Sequence, residues 1–115
     1  MSETKNQTVL KVEEEMSDIT KEYKSLMRNH YDLFCNKMNN YGKNNIMLGG
    51  DVTNEEDRKL ALMGVVIRMH DKINRLVNLV LKNKENTVNE TTIDTLQDIV
   101  NYALIAQIIN NEKWK

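Results

Sequence analysis

No proline occurs anywhere in this chain of 115 residues, and only four glycines do. Nothing in the sequence therefore forces a helix to break, and long helices are permitted. The single cysteine, Cys35, excludes an internal disulfide and a cysteine-based zinc motif. It reads as a buried or half-buried helix residue. Aromatic residues make up 5%, too few for a platform on which bases stack. Lys and Arg number 16 against 17 Asp and Glu, a formal net charge of −1. A general nucleic-acid binder needs a basic excess, so that function class is disfavoured. No apolar run approaches the roughly 20 residues of a membrane span, and no leader pattern is visible. The expectation is one helical domain over 1–115, in the cytoplasm and without a membrane partner.

What is present is helical periodicity. Val12, Met16, Ile19, Tyr23, Leu26, His30, Leu33 and Met38 recur at spacings of three to five and predict one long helix from about Val9 to Met38. Residues 1–8 are polar and are expected to fray. Residues 39–53 hold three of the four glycines and form a candidate functional loop, because long ordered loops are often functional. Thr53 and Glu56 match a capping box and predict a second helix starting there. Two apolar stripes follow on that helix. One is Leu60, Met63, Ile67, Val77 and Leu81, and the other is Leu62, Val66, Met69, Ile73, Leu76 and Val80. A helix with two apolar sides must be covered on both, as in a central helix or one shared with a second subunit. A polar linker spans Lys82 to Glu90. A third helix is expected from Thr91 or Thr92, with Thr91 and Asp94 imitating a capping box. Trp114 near the end either docks on the bundle or flaps. The predicted fold is all-α: a bundle of three main helices, the N-terminal one long, assembled as a homo-oligomer.

Ionisable groups interrupt the apolar pattern in two places. In VVIRMHDKINRLVNL, Val65 to Leu79, Arg68, Asp71, Lys72 and Arg75 fall within two turns. In DTLQDIVNYA, Asp94 to Ala103, Asp94 and Asp98 lie one turn apart. Asp71 and Arg75 are also explained by a simple intrahelical ion pair. Arg68 is harder to explain that way, since apolar residues flank it. Two carboxylates one turn apart repel unless a cation lies between them. Asp71, Asp94 and Asp98 are thus candidate ligands for Mg²⁺, which takes oxygen donors together with substrate phosphates. Arg68, Lys72 and Arg75 are candidate phosphate binders. Tyr41, Lys43 and Asn44 in the loop, and Tyr102 one turn after Asp98, complete the candidate ligand set. His70 is a possible base, but no Ser or Cys is placed beside it as a nucleophile. No catalytic residue is assigned.

The segments YGKNNI, GVVIRMHDKINRLVNL and DTLQDIVNYA, in that order, resemble the nucleotide-modification-associated domain family. Its members are small proteins of bacteriophages and bacterial mobile elements. The resemblance covers Tyr31 to Trp114 and implies nucleotide handling, in the host cytoplasm if the source is a phage. More distantly, the chain resembles the MazG-like all-α nucleoside triphosphate pyrophosphohydrolases, whose signature has one E-x-x-E and one E-x-x-D pair. Here Asp94 and Asp98 are spaced by four, and Thr95 stands three residues before Asp98 where that signature has Glu. Three functions follow. The first is binding of a phosphorylated nucleotide or derivative in an inter-helix or inter-subunit pocket, with Mg²⁺-dependent pyrophosphohydrolysis as its enzymatic form. The second is a non-catalytic sponge for a nucleotide-derived immune signal. The third is a helical protein-interaction module.

Overall fold

A computed structural model describes residues 6–81 and 92–115. Among these residues there are five α-helices and no strand. They are α1 (Gln7–Glu15), α2 (Ser17–Tyr41), α3 (Asn44–Met47), α4 (Glu55–Leu76) and α5 (Thr92–Asn110), with a π-helical turn, Val77–Leu81, extending α4. The all-α expectation holds. The linker at Lys82–Glu90 and the Thr91 capping box lie outside the described residues. The chain divides into two compact units, Met1–Asn36 and Lys37–Lys115.

In the first unit the expected single helix is broken at Met16, whose backbone leaves the helical region at φ −129° and ψ 52°. Asn6 caps α1 by accepting from the Thr8 N–H at 2.7 Å, so helix begins at Gln7, inside the stretch expected to fray. Beyond the break, the Thr20 hydroxyl donates to the Met16 and Ser17 carbonyls, and Lys24 pairs with Glu13 at 2.6 Å. Ile19, Tyr23 and Leu26 form a stripe that is exposed, and neither α1 nor α2 buries a residue. Cys35 is exposed as well, contrary to expectation. Its neighbours Leu33 and Phe34 take the half-buried positions of that turn.

The second unit contains the core. Gly42, at φ 73°, ends α2 in the left-handed conformation that glycine adopts without strain. Its N–H donates to the Met38 carbonyl at 2.8 Å. The loop expected over 39–53 contains the short helix α3. Its end is closed by Leu48, itself left-handed at φ 52°. Asp51 then accepts from both the N–H and the hydroxyl of Thr53, which uses Thr53 in a local turn. The helix cap therefore falls one residue later than the Thr53–Glu56 pattern predicted. Asn54 accepts from the Asp57 N–H at 3.0 Å. Asp57 in turn accepts from the Asp51 N–H at 2.9 Å. Glu55, Glu56 and Asp57 place negative charge on the first turn, where the helix dipole favours it.

Helix α4 packs on α5 and on α3. Arg58 pairs with Glu112 and Lys72 with Asp98. An advance of fourteen residues along α4 (72 − 58) matches a retreat of fourteen from Glu112, just past the end of α5, to Asp98 (112 − 98), so the helices run antiparallel. The buried residues of α4 are Ala61 and Val65, and those of α5 are Thr95, Ile105 and Ile109. Neither Ala61 nor Val65 belongs to the two predicted stripes. The larger stripe residues Leu60, Met63, Val66, Ile67 and Ile73 are exposed instead. On α5 the same holds for Ile93, Leu96, Val100 and Leu104. The innermost positions thus go to Ala61, Val65, Ile105 and Ile109, while many of the bulky apolar residues are exposed.

The chain's end folds back over the loop. After α5, Glu112 turns left-handed at φ 58°, and the Glu112 and Lys113 amides return to the Ile109 and Ile108 carbonyls. Trp114 docks: it is 7% exposed, and its indole N–H donates to the Lys43 carbonyl at 2.9 Å. Arg58 reinforces this corner by donating to the Val52 carbonyl at 2.9 Å and to Glu112 at 3.2 Å.

Candidate functional site

Two features meet along one side of α4. The first is a cavity of ≈210 Å³ between α3 and α4. Ile46, Met47 and Leu48 wall it from α3 and its end, and Asp57, Gly64 and Arg68 are among its α4 residues. Arg68 is half-buried and makes no hydrogen bond or ion pair with any described residue. An arginine removed from water normally finds a partner, since its desolvated charge is otherwise costly.

The second feature lies one turn further on. Asp98 accepts from Lys37 at 3.1 Å through Oδ1 and from Lys72 at 2.9 Å through Oδ2. Two lysines thus share one carboxylate. Burial pushes the Asp98 carboxyl upward, but the hydrogen bonds and charges of Lys72 and Lys37 outweigh it. The net shift is below the ordinary 3.8. Stability from these pairs is thus fully present above about pH 4 and is lost as pH falls through the lowered folded value. Denaturation midpoints of wild type and Asp98→Asn, measured from pH 6 to pH 2, should differ at pH 6 and converge as the pH drops. A gap that stays constant over that range would remove the ion pairs from the stability account.

A family model described as nucleotide modification associated domain 1 matches residues 37–109. The chain belongs to that family. The matched span contains the cavity walls and the Lys37–Asp98–Lys72 cluster, and it leaves out α1 and most of α2. No curated protein and no solved structure matches the chain.

Within this member of the nucleotide modification associated family, the sequence-predicted residues separate. Arg68, Lys72 and Arg75 recur at spacings of four and three and are all half-buried. The α4–α5 register sets Arg68 at the level of the half-buried Tyr102, and Arg75 at the level of Thr95. Tyr41, Lys43 and Asn44 are exposed and do not wall the cavity. The loop residues that wall the cavity are instead Ile46, Met47, Leu48 and Gly50. Asp71 and Asp94 are exposed, and Asp98 has a lysine on each oxygen. Among the described residues no three His, Cys, Asp or Glu side chains come together as a metal-binding group. The cation that Asp94 and Asp98 were read as needing is supplied, at Asp98, by lysines. His70 is exposed, with its Nδ1 3.3 Å from Asn74 Nδ2. Lys37, Asp57 and Gly64 were not singled out from sequence. Gly64 carried a signal, being the one glycine outside the loop. Lys37 carried none, because its role depends on a partner 61 residues away.

Proposed function

We propose that this protein binds a phosphorylated nucleotide or nucleotide derivative, with the ligand entering the α3–α4 cavity and its phosphate held by Arg68 and Lys72. The observation that carries this reading is Arg68: half-buried, at a cavity wall, and without a partner among the described residues. Guanidinium forks match phosphate oxygens in paired hydrogen bonds. Lys72, paired with Asp98 at 2.9 Å, is a second cation one turn away. Family membership supports a nucleotide-related role. Binding is favoured over Mg²⁺-dependent hydrolysis because a metal would have to displace Lys37 and Lys72 from Asp98. Retention without turnover is also what the sequestering reading requires.

We propose further that the working form is a homo-oligomer, with a second copy covering the outward apolar faces of α4 and α5. Leu60, Met63, Ile67, Leu96, Val100 and Leu104 are each between 46% and 73% exposed. Contiguous exposed apolar residues of this kind mark an association surface, and a standard stable interface buries roughly 800 Å² per partner. A helix pair that leaves such faces in water is poorly stabilised on its own.

The ligand reading is tested by incubating the protein with a nucleotide panel, with and without Mg²⁺, and analysing ligand before and after denaturation. Intact nucleotide released only on denaturation is the expected result. Arg68→Ala should lose a charge-assisted contact of about 1.5–3 kcal/mol. Affinity would then fall roughly ten- to a hundredfold, with the circular dichroism spectrum unchanged. Unaltered affinity in the folded variant would take Arg68 out of the site.

A further inference from the structure

Gly64 sits in the interior of α4, where glycine is less favourable than alanine by roughly 0.5–1 kcal/mol. Close packing is the usual compensation for that cost. Here it is absent: a Cβ at Gly64 would meet no atom within 4 Å. Gly64 is instead a wall of the cavity, so the missing side chain leaves the space open.

The cavity's size and walls restrict its occupant. At ≈210 Å³ it has room for about seven waters. That is below the roughly 300–1,000 Å³ of a pocket for a whole drug-sized ligand. It admits a single ring system. The walls are apolar over Ile46, Met47, Leu60 and Val65, with an acceptor at one end and a donor at the other. Asp57 lies seven residues before Gly64, about 10 Å along the helix, and Arg68 lies four after it, about 6 Å. Only one oxygen of Asp57 is used, by the Asp51 N–H. Its other oxygen accepts no hydrogen bond from a described residue. A carboxylate only accepts, so the matching ring edge must carry N–H donors. Met47 offers a polarisable thioether, which packs favourably against aromatic rings.

We propose that the α3–α4 cavity is a nucleobase pocket, in which a flat heteroaromatic ring lies against the bare helix backbone at Gly64, its N–H edge toward Asp57 and its phosphate side toward Arg68. This rests on the nucleotide-binding reading and adds which part of the ligand occupies the cavity. Leu48, left-handed and 82% exposed at the rim, is placed to cover the ring's outer side.

The test compares wild type with Gly64→Leu, using the four common nucleoside 5′-monophosphates and ribose 5-phosphate as probes. Leucine raises the helix propensity of α4 and projects into the cavity, so the fold is kept while the space is filled. Wild type should bind at least one monophosphate ten times more tightly than ribose 5-phosphate, and Gly64→Leu should erase that margin. In wild type alone, the Gly64 amide and the Met47 methyl should show ring-current shifts on adding the monophosphate. This arm stands even if the variant fails to fold. A folded Gly64→Leu that keeps the margin, or ribose 5-phosphate binding as tightly as the nucleotides, would overturn the base pocket and leave phosphate binding intact. A changed oligomer mass with unchanged affinity would assign the gap at Gly64 to a neighbouring copy. Failure of wild type to bind any nucleotide would end the nucleotide reading itself, and the base pocket with it.

Discussion

Trp114→Ala should destabilise the protein by about 3–5 kcal/mol, the usual cost of removing a buried aromatic side chain. Small domains have only about 5–15 kcal/mol in total, so this is a large share. The reasons are local and additive. The indole fills the corner between α3 and the C-terminal residues, and its N–H satisfies the Lys43 carbonyl. The described core has few other large members: Ile46, Val52, Val65, Ile105 and Ile109. Trp114→Phe keeps most of the ring and loses the hydrogen bond, so it should cost about 1 kcal/mol. Urea denaturation followed by circular dichroism measures both, since the variants lack the tryptophan that fluorescence would need. A Trp114→Ala change below 1 kcal/mol would mean that the docked corner contributes little to the fold.

Ile67→Glu should convert the proposed oligomer to monomer. Ile67 lies near the middle of the exposed α4 stripe, with Met63 and Leu60 on the turns before it. A carboxylate there is freely solvated in a single chain and desolvated in a covered one. Leaving an unpaired charge in an apolar interface costs several kcal/mol, enough to shift association by orders of magnitude. Helical content should stay the same, because glutamate is a good helix former and Ile67 is exposed. Light scattering at micromolar concentration distinguishes the two forms. The assembly proposal would be sunk by a wild type that already runs at monomer mass, or by a variant whose mass does not change.

Periodicity made the fold class legible, because a 3.6-residue repeat needs no knowledge of distant contacts. It did not reveal which side of α4 faces α5. Apolar residues lie all round that helix, and the two that become buried are Ala61 and Val65. Hydrophobicity alone ranks Leu60 and Ile67 above them. The same limit governed the site. Arg68 stood out because apolar neighbours flank it, and the cavity wall is where it lies. Lys37 did not stand out, because nothing local marks a lysine whose partner is on another helix. Asp94 and Asp98 suggested a metal because their spacing makes them repel, and spacing cannot say that lysines approach from α2 and α4. The cap moved from Thr53 to Asn54 for a related reason. Asp51 engaged Thr53 first, and two overlapping local patterns competed for one residue.

Leu60 has a consequence that involves both faces of α4 at once. It walls the cavity, yet it is 73% exposed on the outward stripe. If the proposed ligand and the proposed second copy both contact Leu60, ligand occupancy and self-association become linked equilibria. If covering Leu60 with a second copy tightens the cavity tenfold, the ligand must tighten the assembly by the same factor, because the thermodynamic cycle closes. Melting temperature then rises with protein concentration and again with ligand, and the two increments are not additive. Affinity measured on a dilute sample and on a concentrated one would belong to different species.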